Sequence, residues 1–227
     1  MGNLWHSREQ AARDLADKHP DVLQVLDDLF TLVDDCAEVL HATDSSFARV
    51  TALSVVKARN LALGFYSLSL DSLAQEAGAL FRPLVEALEL LKYFRLDPER
   101  VNEVLDDRLP KAGDIAKRIK GDYEELRKHL NRNASHLSFQ PESMRHLLDF
   151  DWDKQQVTIR REQPFRLGVV LRNMQTVFGA FALVGIEAVN CTVVADCAAQ
   201  SELADRVEAL KTRGLRAFEA ALRGSQA

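Results

Sequence analysis

The chain lacks most of the short signatures that mark common enzyme classes. It has no Gly-rich phosphate cradle and no Gly-Lys-Ser/Thr loop, which excludes the usual nucleotide-binding loops. It has no Gly-x-Ser-x-Gly elbow, so a serine hydrolase of the α/β kind is excluded too. Cysteine is scarce, with Cys36, Cys191 and Cys197 the three present. Their odd number and spacing fit no metal site; buried or free thiols in a reducing, cytoplasmic setting are expected. Only six prolines and ten glycines interrupt 227 residues, leaving long stretches without helix breakers. The N-terminal MGNLWHSREQ has no apolar run behind a basic start, so no signal peptide is expected. A formal charge of −5 argues against a whole-molecule polyanion binder, though it leaves room for a local basic patch.

What the chain does have is apolar periodicity at helical spacing. Ser7–His19 reads as a charged opening helix, and Pro20 starts a second at the favoured first-turn position. Val22, Val25, Leu26, Leu29, Leu32, Val33 and Cys36 keep the 3–4 spacing of a buried stripe. Asp44-Ser45-Ser46 is a cap for a third helix reaching Leu70, and Asp71-Ser72 restarts the pattern for a fourth that reaches Leu96. Asp97-Pro98-Glu99 opens a short helix to about Asp107, and Leu109-Pro110 breaks the chain. Val177–Ala199 is about the length of a membrane span, but Glu187, Asn190 and Asp196 fall inside it. A central core helix is the better reading of that stretch.

Between His136 and Pro164 the period changes. Residues 147–152 and 156–161 alternate in part between apolar and polar and flank Asp153-Lys154-Gln155, the pattern of a short hairpin. Two strands alone are marginal, so they should lie against the helices. The expected fold is therefore all-α: one domain over 1–227, a bundle of eight or nine helices with one β-hairpin near 147–161. N-terminal helices occupy 7–70, a motif-bearing core 71–190, and an amphipathic closing helix 200–223.

The most informative stretch is Tyr123–Phe139, YEELRKHLNRNASHLSF. His129, Arg132, Asn133 and His136 stand at i, i+3, i+4 and i+7, one face of a helix. The surrounding Arg108–His136 has eight Lys or Arg against four Asp or Glu, a local +4 in an acidic chain. Imidazole can serve as acid or base near neutral pH, and a guanidinium is a fixed fork for phosphate oxygens. On that chemistry His136 is the candidate acid/base, Arg132 the phosphate clamp and Asn133 an orienting partner. A structural alternative stands beside it, since imidazolium near a helix C-terminus is favourable in its own right.

Arg82 and Glu86, at i and i+4, form either a structural ion pair or an orienting pair across a cleft. His129 and Tyr123 join them as candidate binding or orienting residues. His129 and His136 are too far apart along a helix for one mononuclear ion. The paired Glu-x-x-His copies of a di-iron bundle are missing. No metal and no cofactor are expected.

Phe81–Val101, FRPLVEALELLKYFRLDPERV, followed by YEELRKHLNRNASH, a hairpin and a long apolar helix, resembles a group of uncharacterised bacterial all-helical proteins. That group carries an Arg-x-x-x-Glu helix and a Leu-Ser-x-x-x-His-type motif. Arg82 and Glu86, then Leu130 and His136, occupy the matching places, with Asn131 standing for Ser. The group is similar to the HEPN-like superfamily, whose members include dimeric, metal-independent RNases of defence and toxin–antitoxin systems. The resemblance implies an RNA partner, a homodimer and Arg132, Asn133 and His136 as catalytic residues. Active HEPN RNases place four to six residues between Arg and His; here Arg132 and His136 have three between them. Two other readings stay open: a non-catalytic module that dimerises or binds a protein partner, and a small-molecule sensor with a pocket near Arg82 and Glu86. None of the three requires a membrane.

Overall fold

The computed structural model describes residues 6–133, 148–151, 153–159 and 167–224. Nine α-helices and a two-stranded hairpin are found among them: α1 (His6–Lys18), α2 (Pro20–Ala42), α3 (Ser46–Leu70), α4 (Ala74–Leu96), α5 (Val101–Leu105), α6 (Ala112–Arg118), α7 (Glu124–Asn133), β1 (Leu148–Asp151), β2 (Gln156–Ile159), α8 (Leu167–Val194) and α9 (Gln200–Gly224). A 3₁₀ turn, Pro98–Arg100, leads into α5. The fold is an all-α, multi-helix bundle.

α8 is its axis, packed against α2, α3, α4 and α9. It is long and apolar enough to cross a membrane by length and composition, with mean hydropathy 1.9, yet 67% of that stretch is buried within the fold. Helices apolar on most sides belong in the centre of a bundle, and this one supplies Leu171, Met174, Phe178, Phe181 and Val184 to the core. Phe181 meets Phe30 of α2 with ring centroids 4.7 Å apart, and Phe178 meets Phe218 of α9 at 5.3 Å. α9 approaches so closely that a Cβ on Gly214 would stand 2.0 Å from Phe178 Cζ. Only glycine fits there.

The helix boundaries have local causes. Pro20 begins α2 without losing a hydrogen bond. Ser45 Oγ accepts the Ala48 N–H at 3.0 Å and caps α3. Asp71-Ser72, expected to open α4, instead closes α3: Ser72 is left-handed at φ 62°, and Leu73 N donates to Leu68 O at 3.0 Å. That is a C-terminal wrap of the Schellman kind, and α4 starts at Ala74 after Leu73, with no side-chain cap. α5 stops at Leu105, two residues earlier than expected, because Asp107 turns left-handed at φ 54° and Arg108 N donates back to Glu103 O at 2.7 Å.

The hairpin is antiparallel, with Leu148 opposite Ile159 and Phe150 opposite Val157. It departs from expectation in one respect. All four residues of β2 are exposed, Val157 by 56% and Ile159 by 78%. Among the described residues nothing covers that apolar face, so β2 does not lie against the helices.

Candidate functional site

Two buried carboxylates organise the region where α4, α7 and α8 meet. Glu89 of α4 and Glu187 of α8 have side chains 2% and 6% exposed, a placement carboxylates tolerate only when paired. Arg127 of α7 forks onto Glu89, with Nε and one terminal nitrogen each 2.6 Å from a carboxylate oxygen. The same terminal nitrogen donates to Ala112 O at 3.1 Å, tying in the start of α6. Arg95 of α4 forks onto Glu187 at 2.6 and 3.3 Å, and the Tyr123 hydroxyl donates to Glu187 Oε1 at 3.1 Å. Burial, then the Glu187 charge, push the Tyr123 phenol well above its ordinary range. Glu89 and Glu187 in turn hold Arg127 and Arg95 firmly protonated.

Each buried carboxylate spends both oxygens on a guanidinium, so neither is free to act as a base. Their effect is positional. Arg127 locks α7 to α4, and Tyr123, just before α7, locks its N-terminal end to α8. Lys92 pairs with Asp122 on the same approach, its ammonium 5.4 Å from the centre of the Tyr123 ring. α7 is thereby held at its start and its first turn.

At the solvent edge of this network lie Arg82 and Glu86. Arg82 Nε donates to Glu86 Oε1 at 3.1 Å, and Arg127 stands 4.0 Å from the same oxygen. Their side chains are 41% and 31% exposed, so this pair, unlike the two buried forks, is open to a ligand. Within reach of each other, therefore, are Arg82, Glu86 and Arg127, and Tyr123 stands on the same helix junction. His129, Arg132 and Asn133 continue α7, but their side chains lie outside the described residues, as does His136 entirely. Leu130 and His136 also stand one residue further apart than the Leu-Ser-x-x-x-His-type motif requires.

The basic stretch is less basic at close range than its count suggests. Arg108 pairs with Asp106, Lys117 with Asp114, Arg118 with Glu103, Arg127 with Glu89, and Lys128 with Glu124 and Glu125. Arg118 also donates to the Tyr93 hydroxyl at 2.6 Å, and that hydroxyl donates to Glu103 at 2.8 Å. Among the described residues of this stretch, Lys111 and Lys120 are the cations outside such pairs. No group of three or more His, Cys, Asp or Glu side chains suited to a metal ion occurs among the described residues.

The sequence alone did not mark Glu89, Arg95, Arg127 or Glu187 as members of the site. One signal was available for Glu187: a lone carboxylate inside an apolar helix must find a cation. Comparison of the chain with protein-family models, with curated proteins and with solved structures finds no match in any of the three. What the chain belongs to by fold is thus the broad class of all-α bundles, and its function rests on the site itself.

Proposed function

We propose that the chain is an HEPN-like protein that binds RNA through the polar face at the end of α7, with metal-independent cleavage carried by His136, Arg132 and Asn133. The observation that carries this reading is the anchoring of α7. Two buried carboxylates are spent on fixing the helix that carries Arg132 and Asn133, and a reacting constellation needs such support. The open Arg82–Glu86 pair adds a guanidinium beside the same helix, suited to a phosphate. The test is binding and cleavage of short single-stranded and hairpin RNAs, with EDTA present, by wild type, Arg132→Ala and His136→Ala. Salt-sensitive binding weakened by Arg132→Ala, and cutting lost in His136→Ala, are the expected results. Wild type that neither binds nor cuts these RNAs at low salt overturns the proposal.

A second reading, a module that pairs with another copy of itself, is favoured by a separate observation. On α3 the exposed residues Arg49, Leu53, Val56, Asn60 and Leu63 follow a 4-3-4-3 spacing. Leu53 is 72% exposed, and Val56 and Leu63 are each 42% exposed. This is the a/d repeat of a helix-pairing seam with one Asn at an a position, a device that sets register. The two readings are compatible, since a two-fold pair presents two α7 faces.

A further inference from the structure

A groove beside α7, lined on that helix by Leu126, is assigned no role by the RNA reading. It has a volume of about 510 Å³ and is floored by the outer face of α8, where Thr176, Gly179, Leu183 and Ile186 follow one another at helical spacing. Phe81 of α4 and Leu126 of α7 form one wall, and Lys211 and Leu215 of α9 the other. From Gln175 to Ile186 the floor runs about 16 Å, at 1.5 Å per residue. The volume falls in the range of small-molecule sites, and the walls are apolar as such sites require.

Two features separate this groove from a packing defect. Gly179 sits in the middle of α8, where glycine weakens a helix relative to alanine. Among the described residues a Cβ there would meet nothing within 4 Å, so no described neighbour demands the glycine, in contrast to Gly214 against Phe178. What its missing side chain preserves is the depth of the groove. The second feature is charge. Lys211 is the one charged side chain among the described lining residues, with Glu208 3.7 Å away on the same helix face. α9 runs antiparallel to α8, with Val207 beside Gly185 and Phe178 beside Gly214. That register brings Lys211 level with the stretch between Gly179 and Leu183.

We infer that this groove binds an apolar carboxylate, its acyl or aryl body lying along α8 over Gly179 and its carboxylate turned to the Lys211 ammonium. A long apolar trough with a single cation on one wall complements an anion with one charge and an extended tail. Gln175 and Thr176 at the open end add polar groups but no net charge.

The test uses the full chain and dodecanoate, below its micellar concentration, in titration calorimetry, with dodecanol as the uncharged companion. Saturable binding at one site per chain is expected. Gly179→Leu, which projects into open space, should weaken it about tenfold or more, as expected when roughly two methylenes lose their buried place. Leu215→Trp, at a half-exposed position on the other wall, narrows the groove independently should Gly179→Leu fold poorly, and should weaken binding likewise. Lys211→Met should weaken dodecanoate roughly threefold and leave dodecanol unchanged. Absence of saturable dodecanoate binding, or binding that both groove-filling variants leave intact, overturns the inference. Equal effects of Lys211→Met on dodecanoate and dodecanol overturn the assignment of the carboxylate to Lys211.

Discussion

Arg127 grips Glu89 through two parallel hydrogen bonds of 2.6 Å, joining residues 38 positions apart. The pair ties α7 to α4, and its energetics are asymmetric. Desolvating both groups offsets most of their attraction, whereas removing one partner strands the other in a buried site. Glu89→Gln is therefore expected to cost about 3 kcal/mol in urea unfolding. Replacing both together, Arg127→Met with Glu89→Leu, should cost clearly less than the sum of the single changes. Additive single and double effects would mean that the two groups are not coupled.

Gly214 marks the closest approach of α9 to α8. With Phe178 ring atoms at 2.0–2.8 Å from the position of an added Cβ, Gly214→Ala must displace either the ring or the helix. The expected loss is about 1–3 kcal/mol, the usual cost of overpacking a core, despite alanine's better helix propensity. A thermal melt unchanged or raised in the variant contradicts this packing.

Alkaline stability follows from the thiols. Burial, and then the Asp35 charge, push the Cys36 thiol up to about 12, while burial raises Cys191 as well. A raised folded value means that the unfolded chain releases its proton first. The stabilisation is complete below the unfolded thiol's value of about 8.5 and is lost as pH climbs from there toward 12. Tyr123 adds a loss of the same sign beginning at about pH 10. Urea midpoints should be flat in this respect near neutrality and fall above pH 8.5, each thiol contributing about 1.4 kcal/mol per pH unit at most. Cys36→Ala should make the fall shallower. Cys36 and Cys191 should also react slowly with disulfide reagents, since the thiolate is the attacking form.

The α3 seam gives a prediction about assembly. Leu53→Glu with Leu63→Glu places charges on a face that is exposed in the single chain, so the melting temperature of the monomer should move little. Light scattering after gel filtration should show wild type as a dimer and the variant as a monomer. A wild type that stays monomeric at micromolar concentration removes the self-pairing reading, and with it the homodimer that the HEPN-like resemblance implies.

Much of the bundle was legible because its causes are local. The 3–4 apolar spacing of α2, the proline at its first turn and the Ser45 cap are written in adjacent residues, and the alternation of 147–161 foretold the hairpin. Asp71-Ser72 misled because the same residues serve to end one helix as readily as to begin the next. The polar network was less legible for a different reason. Arg95 and Glu187 stand 92 positions apart, and no spacing within either helix records that they meet. Arg82 and Glu86, neighbours on one helix, were visible at once; Glu89 looked like one more charge beside Leu88 until α7 was seen to lie over it.

Pro83 sits inside α4 and has no N–H to give the carbonyl of Ala79, so one backbone hydrogen bond is missing from a helix that runs from Ala74 to Leu96. Before it, Phe81 packs against Phe65 of α3 with centroids 5.7 Å apart, and Leu80 lies over Gly64. After it, Glu89 and Arg95 hold α7 and α8. The part of α4 that grips α3 and the part that carries the ionic contacts are thus joined where the helix has least backbone bonding.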